Sequence, residues 1–294
     1  MTSANRNTIC VEDAEVLKHI TYPDEQYVLR LHSPGCANRA VPGSFAHIRC
    51  APGLPMRRPL SIMRAQPTEG WIEVLYKTIG QGLQSLSEAQ PGDRLSVLGP
   101  IGNGFSPDDA RMMPVLIGGG VGIPPLMFLA EHVAAHYPNL RPVAFFGSEI
   151  PFPFELCDRP VALEGAPTTA TLALSDLNAI GIPSRLATTA GYEGCYAGYV
   201  TQLAGEWLSS LPADRLTLVT LFACGPEPML EAVATLAEKF AVPSQLCLEE
   251  FMACGVGGCA GCTVQVQTPN GPAMKRVCVD GPVFAGDAVY PPAD

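Results

Sequence analysis

The chain has 294 residues, of which 47% are hydrophobic, and a formal net charge of -10 with only 18 Lys+Arg. That apolar content over that length excludes a disordered polymer and allows two or three packed domains. So few cations in an acidic chain exclude a surface built to read nucleic-acid phosphates, which leaves small molecules and protein partners.

The first twenty residues, "MTSANRNTICVEDAEVLKHI", carry acids and no apolar stretch of signal-peptide length, so the expected address is cytoplasmic. Eleven cysteines in such a compartment favour metal binding or redox work over a disulfide framework. Up to about residue 106, β-type runs ("YVLRLHS", "SFAHIRCA", "WIEVLYKTI", "DRLSVLGPIG") are broken by turns. Apolar residues alternate in two of them, the period of half-buried strands, and a small antiparallel barrel is expected over 1 to 108.

Within that region "RRPLSI" offers the Arg58 fork for a diphosphate and the Ser61 hydroxyl for a flavin or phosphate. Alone it reads more simply as an edge strand with a solvated arginine. "GQGLQSL", 80 to 86, sets Gly80 and Gly82 before a short helix whose amides suit a pyrophosphate, or forms a plain turn.

From 112 to 245 strands and helices alternate: "VLIGGG" into "IPPLMFLAEHVAAH", then "PVAFFGS", "YVTQLAGEWLSSL", "LTLVTLFACG" and "PEPMLEAVATLAEKF". Continuous apolar strands between helices predict a parallel sheet covered on both faces, a nucleotide-binding architecture. Met112 to Ala130 is uncharged and long enough to suggest a membrane span, but the glycines and prolines inside it would break a lipid-exposed helix. Gly118, Gly119, Gly120 and Gly122 give backbone access to an anionic cofactor, with a helix dipole behind them. Pro125 near the third-glycine position departs from G-x-G-x-x-G, and a turn tightened for steric reasons is the alternative. "FACGPEPML" ends a strand at the sheet's carboxyl edge, where Cys224, Gly225 and Pro226 are expected at the ligand cleft, with Cys224 facing it; Glu227 and Met229 begin the next helix.

The last segment, 246 to 294, has little room for a core of its own and needs a staple. "CGVGGCAGC" spaces Cys254, Cys259 and Cys262 as C-x4-C-x2-C, with Gly255, Gly257, Gly258 and Gly261 freeing the loop's dihedrals. Cys278, after fifteen intervening residues, is the one later cysteine and supplies a fourth ligand. This is the plant-type [2Fe–2S] spacing. A zinc site favours paired C-x2-C knuckles, and only one C-x2-C occurs here. Cys10, Cys36, Cys50, Cys157, Cys195, Cys224 and Cys247 are by default small core or loop residues.

"RPLS", "GGGVGIPP", "CGPEPML" and the cysteine loop follow the order of motifs in the ferredoxin–NADP reductase superfamily, which the chain resembles over its whole length. The C-terminal cysteine loop, followed by "CVDGPVF", is similar to that of electron-transfer subunits of NAD-linked dihydroorotate dehydrogenase. The resemblance implies a flavin barrel joined to a nicotinamide domain. It implies that Arg58, Pro59, Leu60, Ser61, Leu75, Tyr76, Lys77, Gly82 and Leu83 hold FAD, that the glycine turn and Cys224 lie near NAD, and that no side chain acts as general acid or base. It also implies an FMN-containing, dihydroorotate-oxidising catalytic partner in a two-plus-two assembly, with electrons passing through a [2Fe–2S] cluster and FAD to NAD+ in pyrimidine biosynthesis. Leu83 stands where the family usually has threonine, and Gly191-Tyr192 where relatives tend to have Asp-Gly. Two alternatives share these motifs: a small subunit of an NAD(P)-linked ferredoxin oxidoreductase or sulfide dehydrogenase, and a non-enzymatic iron–sulfur redox sensor.

Overall fold

The computed structural model describes residues 9 to 51 and 53 to 292. Residues 1 to 8, part of the segment expected to lack an export signal, lie outside the described residues. Strands β1 (Cys10–Tyr22), β2 (Gln26–His32), β3 (Phe45–Ile48), β4 (Arg58–Gln66), β5 (Trp71–Lys77) and β6 (Arg94–Ile101) close into an antiparallel barrel in the order β1-β2-β5-β4-β3-β6. Helix α1 (Pro34–Ala37) follows β2, and α2 (Gly80–Ser87) follows β5. The alternation does the folding here. On β4, Leu60 and Ile62 point into the barrel core, while Pro59 and Ser61 keep partial exposure on the outer side.

The second unit is a seven-stranded sheet in the order β12-β11-β8-β7-β13-β14-β17. It is built from β7 (Met113–Gly119), α3 (Ile123–His136), β8 (Val143–Gly147), the short pair β9 (Leu156–Cys157) and β10 (Ala173–Leu174), α4 (Ser175–Ala179), β11 (Ser184–Thr188) and β12 (Tyr196–Ala197). Next come α5 (Val200–Ser210), α6 (Ala213–Leu216), β13 (Val219–Cys224), α7 (Glu227–Lys239) and β14 (Ser244–Cys247). The chain builds outward from β7 on one side and returns to its other side with β13, so β7 and β13 flank a topological switch point. Open α/β sheets bind ligands at such a point.

The C-terminal segment forms the hairpin β15 (Thr263–Thr268) and β16 (Gly271–Arg276), then β17 (Val283–Ala285) and α8 (Gly286–Val289). β17 pairs antiparallel with β14 and completes the large sheet. The division expected between 245 and 246 falls inside β14. One apolar cluster runs from Phe45 and Ile101 of the barrel through Val115, Leu221 and Leu246 of the sheet to Cys262, Val277 and Cys278. The staple segment therefore borrows its core from its neighbours. Among the described residues no helix is long and apolar enough to cross a membrane.

The barrel is locked to the α/β unit by charge. Arg64 on β4 reaches Glu131 of α3 at 2.7 Å, Asp176 of α4 at 2.6 Å and Glu73 of β5 at 3.6 Å, and Arg30 holds the other oxygen of Glu73 at 2.9 Å. Burial raises the Glu131 carboxyl pKa, which Arg64 opposes.

Candidate functional site

The flavin motif and the glycine helix predicted from sequence converge. Gly82, in the first turn of α2, lies so close to Arg58 on β4 that a Cβ there would sit 2.7 Å from the guanidinium Nε. A cation fork and a helix N-terminus on one spot suit a diphosphate. Leu83, where a hydroxyl was wanting, packs against the barrel core instead.

The side chains divide differently from the expectation. Leu60 faces the barrel interior. Leu75 is buried against the α/β unit, and Tyr76 is buried in the barrel. The Tyr76 hydroxyl is held by His19, 2.8 Å away; the other His19 ring nitrogen meets the Ala89 carbonyl at 2.8 Å and so must donate, leaving the first to accept from Tyr76. Of these three expected flavin contacts only Lys77 keeps an accessible side chain, so Leu75 and Tyr76 offer a ligand their main chain.

At the switch point the glycines have steric reasons. A Cβ on Gly118 would meet Phe146 at 2.9 Å, one on Gly119 would meet the Met229 sulfur at 2.7 Å, and one on Gly122 would meet the Cys224 carbonyl oxygen at 2.3 Å. The turns after β7 and β13 are pressed backbone to backbone. Gly120, at φ +54, and Val121 are the exposed part of the turn. Pro124 and Pro125 remove two N–H donors from the start of α3, which weakens the expected helix-terminus contribution. Pro226 is exposed at the mouth of α7, and Gly225 is buried beside Met229.

Cys224 corrects the sequence expectation. Its side chain is fully buried rather than facing the cleft. A sulfur hydrogen bond to Cys247 and burial push its thiol pKa well up. The reason is register: Cys224 and Cys247 are direct neighbours on the parallel strands β13 and β14. Beside them stands Glu249, which sequence reasoning passed over. Its side chain is exposed, and desolvation by the protein around it raises its carboxyl pKa.

The four predicted cysteine ligands come together as two pairs. Cys262 and Cys278, both buried, have sulfurs 3.4 Å apart, and the Cys254 thiol interacts with that of Cys259. Among the described residues no group of three or more His, Cys, Asp or Glu side chains closes on a single ion. Two thiol pairs suit a two-iron cluster, in which each iron takes two thiolates, better than one tetrahedral ion. The Cys254 sulfur accepts backbone N–H bonds from Val256 and Cys259 at 3.5 and 3.4 Å; burial works against its thiolate, but these donors bring its pKa to about 7. Burial and the neighbouring Cys262 push the free Cys278 thiol to about 12, so this ligand depends on a metal to ionise it. Arg276 braces the loop with a 3.1 Å bond to the Gly257 carbonyl and a 3.2 Å pair with Asp280. Exposed Phe251, Val256 and Cys259 leave the loop's outer edge apolar and open.

A second residue missed from sequence lies beneath that loop. His47 of β3 is fully buried, and a Cβ on Gly255 would sit 2.7 Å from its Nδ1. Gly255 also has φ +67, so glycine is required there twice over. In register, His47 lies opposite Pro59, and Phe45 opposite Ser61. The cluster loop therefore packs on the same outer barrel face that carries the flavin motif. Burial, helped by the charge of Arg57, lowers the His47 pKa to about 4. The signal was available in "FAHI": strand alternation sends Phe45 and His47 to the face opposite Ala46 and Ile48. A cavity of about 520 Å³, lined by Tyr137, Arg141, Trp207 and Arg215 among others, contains none of the predicted site residues.

A family model described as the iron-sulfur cluster binding domain of dihydroorotate dehydrogenase B matches residues 249 to 290. The chain is 37% identical over 274 residues to the "Dihydroorotate dehydrogenase B (NAD(+)), electron transfer subunit" of Geobacillus kaustophilus, covering 90% of this chain and 93% of the relative. The protein of the same name from Bacillus caldolyticus is 36% identical with the same coverage. Among solved structures, an NADH-dependent reduced ferredoxin-NADP oxidoreductase studied for flavin-based electron bifurcation superposes with a TM-score of 0.74 at 25% identity, over 95% of this chain and 90% of that one. With two-domain fold, cysteine loop and near full-length relatives in agreement, the chain belongs to the family of electron transfer subunits of dihydroorotate dehydrogenase B.

Proposed function

We propose that this chain carries electrons from a dihydroorotate-oxidising, FMN-containing partner to NAD+. Cys254, Cys259, Cys262 and Cys278 hold a [2Fe–2S] cluster, and Arg58 with the amides of Gly82 and Leu83 holds the FAD diphosphate. Pro59, Ser61, Lys77 and the main chain at Leu60, Leu75 and Tyr76 line the flavin. NAD lies at the exposed Gly120 turn beside Gly225 and Pro226. When bound, these groups supply one-electron transfer, conversion between one- and two-electron steps, and hydride exchange.

The observation that carries the reading is the shared barrel face: β3 presents His47 to the cluster loop and pairs directly with the "RPLS" strand. The protein's work is placement and exclusion of water. Buried Cys262 and Cys278 anchor the inner side of the loop, while the open edge at Phe251, Val256 and Cys259 suits the docking of a partner that delivers electrons. No proton has to be held at any residue for this role. Cysteines without disulfides fit a reducing compartment such as the cytoplasm, where the chain would join the catalytic subunit in a two-plus-two assembly. The solved relative named as a ferredoxin-NADP oxidoreductase supports a second reading, in which ferredoxin replaces the flavoprotein.

Mixing the purified chain with a dihydroorotate-oxidising flavoprotein separates the two. Dihydroorotate-dependent NADH formation that requires both proteins is expected. Reduction of ferredoxin by NADH without any response to dihydroorotate would overturn the first reading.

A further inference from the structure

Among the described residues only His47 and Thr220 hold buried side-chain nitrogen or oxygen atoms without a hydrogen-bond partner, and in His47 both ring nitrogens are unpaired. Such groups are costly, and each one calls for a reason. The backbone of Arg57 and Met252 comes near enough to the ring to favour its charged form, but neither reaches hydrogen-bond geometry with a ring nitrogen. Nδ1 lies against Gly255, immediately after Cys254, where an added Cβ would sit 2.7 Å from it, and the strand behind the ring pairs with Pro59 of the flavin motif. The imidazole is thus the dry side chain between the cluster loop and the flavin-motif strand.

We infer that His47 is a positioning residue for the cluster, donating one imidazole N–H to a cluster sulfur or to the Cys254 thiolate. This rests on the assignment of the four cysteines as cluster ligands. The cluster and its thiolates gain negative charge on reduction. A buried donor aimed at them stabilises the reduced state more than the oxidised one and raises the potential. No water competes for the bond, because the ring is fully buried. Gly255 supports the arrangement from the loop side, since any side chain there would displace the ring.

The test uses the holoprotein with iron and FAD loaded. Histidine is labelled with 15N, the cluster is reduced with dithionite, and pulsed EPR reads nitrogen coupling. A 15N coupling that disappears in His47→Gln is expected. In a redox titration, His47→Leu should lower the ratio of reduced to oxidised cluster at fixed poise about tenfold, equivalent to ~59 mV for one electron. His47→Gln, which keeps an N–H donor, should recover most of that ratio, with the flavin potential unmoved in both variants. A labelled wild-type cluster without coupling, or an unchanged potential in His47→Leu, would overturn the inference and leave His47 a packing residue. If His47→Leu fails to hold iron, the wild-type labelling still decides. A wild-type chain that binds no iron would overturn the ligand assignment itself, an outcome plainly different from an iron-loaded cluster lacking the coupling.

Discussion

Gly122→Ala is a purely steric perturbation of the switch point. Gly122 has φ -84, a conformation alanine adopts freely, so backbone strain does not enter. The added Cβ would stand 2.3 Å from the Cys224 carbonyl oxygen, 2.4 Å from its carbon and 2.5 Å from the Gly225 nitrogen. Ordinary contact begins near 3.4 Å, so a gap of roughly 1 Å must open between two backbones. Cys224 cannot yield alone, because β13 is paired to β7 on one side and β14 on the other. The two turns must part, with an overpacking cost of about 1–3 kcal/mol. They are the proposed nicotinamide site, and a 1 Å misplacement of a reacting group costs about 100-fold in rate. NADH-dependent dye reduction should fall about 100-fold in kcat/KM, with iron and FAD content unchanged and Tm lowered by several degrees. Gly205→Ala is the control: it lies in α5, faces only the flexible end of Leu236 at 3.1 Å, and should leave activity intact while favouring the helix. Activity of Gly122→Ala within threefold of wild type at an unchanged Tm would refute the reasoning.

Three other perturbations have definite expectations. Arg58→Ala removes the cation beside Gly82 and should weaken FAD binding by roughly 10- to 100-fold, the worth of a charge-assisted hydrogen bond, read as flavin lost on gel filtration. Arg64→Met leaves Glu73, only 4% exposed, and Glu131 without their shared partner. Unpairing a buried charge costs about 3–5 kcal/mol, and partial exposure of Arg64 brings the expectation to about 2–3 kcal/mol in a urea melt, partly restored by adding Glu131→Gln. Burial acts to raise the Glu12 carboxyl pKa, but the Ser33 hydroxyl and the Gly35 and Cys36 N–H groups outweigh it and hold it below its ordinary 4.5. A depressed folded-state pKa gives stability that is present above 4.5 and lost as pH falls through the folded value. Glu12→Gln should therefore be less stable than wild type at neutral pH, with the two denaturation midpoints converging in acid.

The barrel strands "WIEVLYK" and "YVLRLH" were legible because their apolar residues alternate, and β7 and β13 because both faces are covered and the runs are continuously apolar. β1 was not legible: Asp13, Glu15 and Lys18 keep exposure, Glu12 interrupts the face that buried Ala14 and Val16 share, and the alternation is blurred by a bulge between Val16 and Lys18. β17 was not legible either, since a three-residue strand acquires its identity from β14, a partner thirty-odd residues earlier. The gathering of the four cysteines at one loop could be anticipated because their spacing is local chemistry. The burial of Cys224 and the placement of His47 could not, because both follow from register between strands that meet only in the folded chain. The glycines at 118, 119 and 122, expected to open the backbone to a cofactor, stand where neighbouring side chains and backbone leave no room for a Cβ.

The most direct measurement is the visible and EPR spectrum of the anaerobically purified chain, with iron and FAD quantified, before and after adding NADH. One FAD and two irons per chain are expected, with flavin absorbance bleached and a reduced-cluster EPR signal appearing on NADH addition. A chain that holds zinc, or one whose cluster stays oxidised while the flavin is fully reduced, would contradict an electron path running between the nicotinamide site and the cysteine loop.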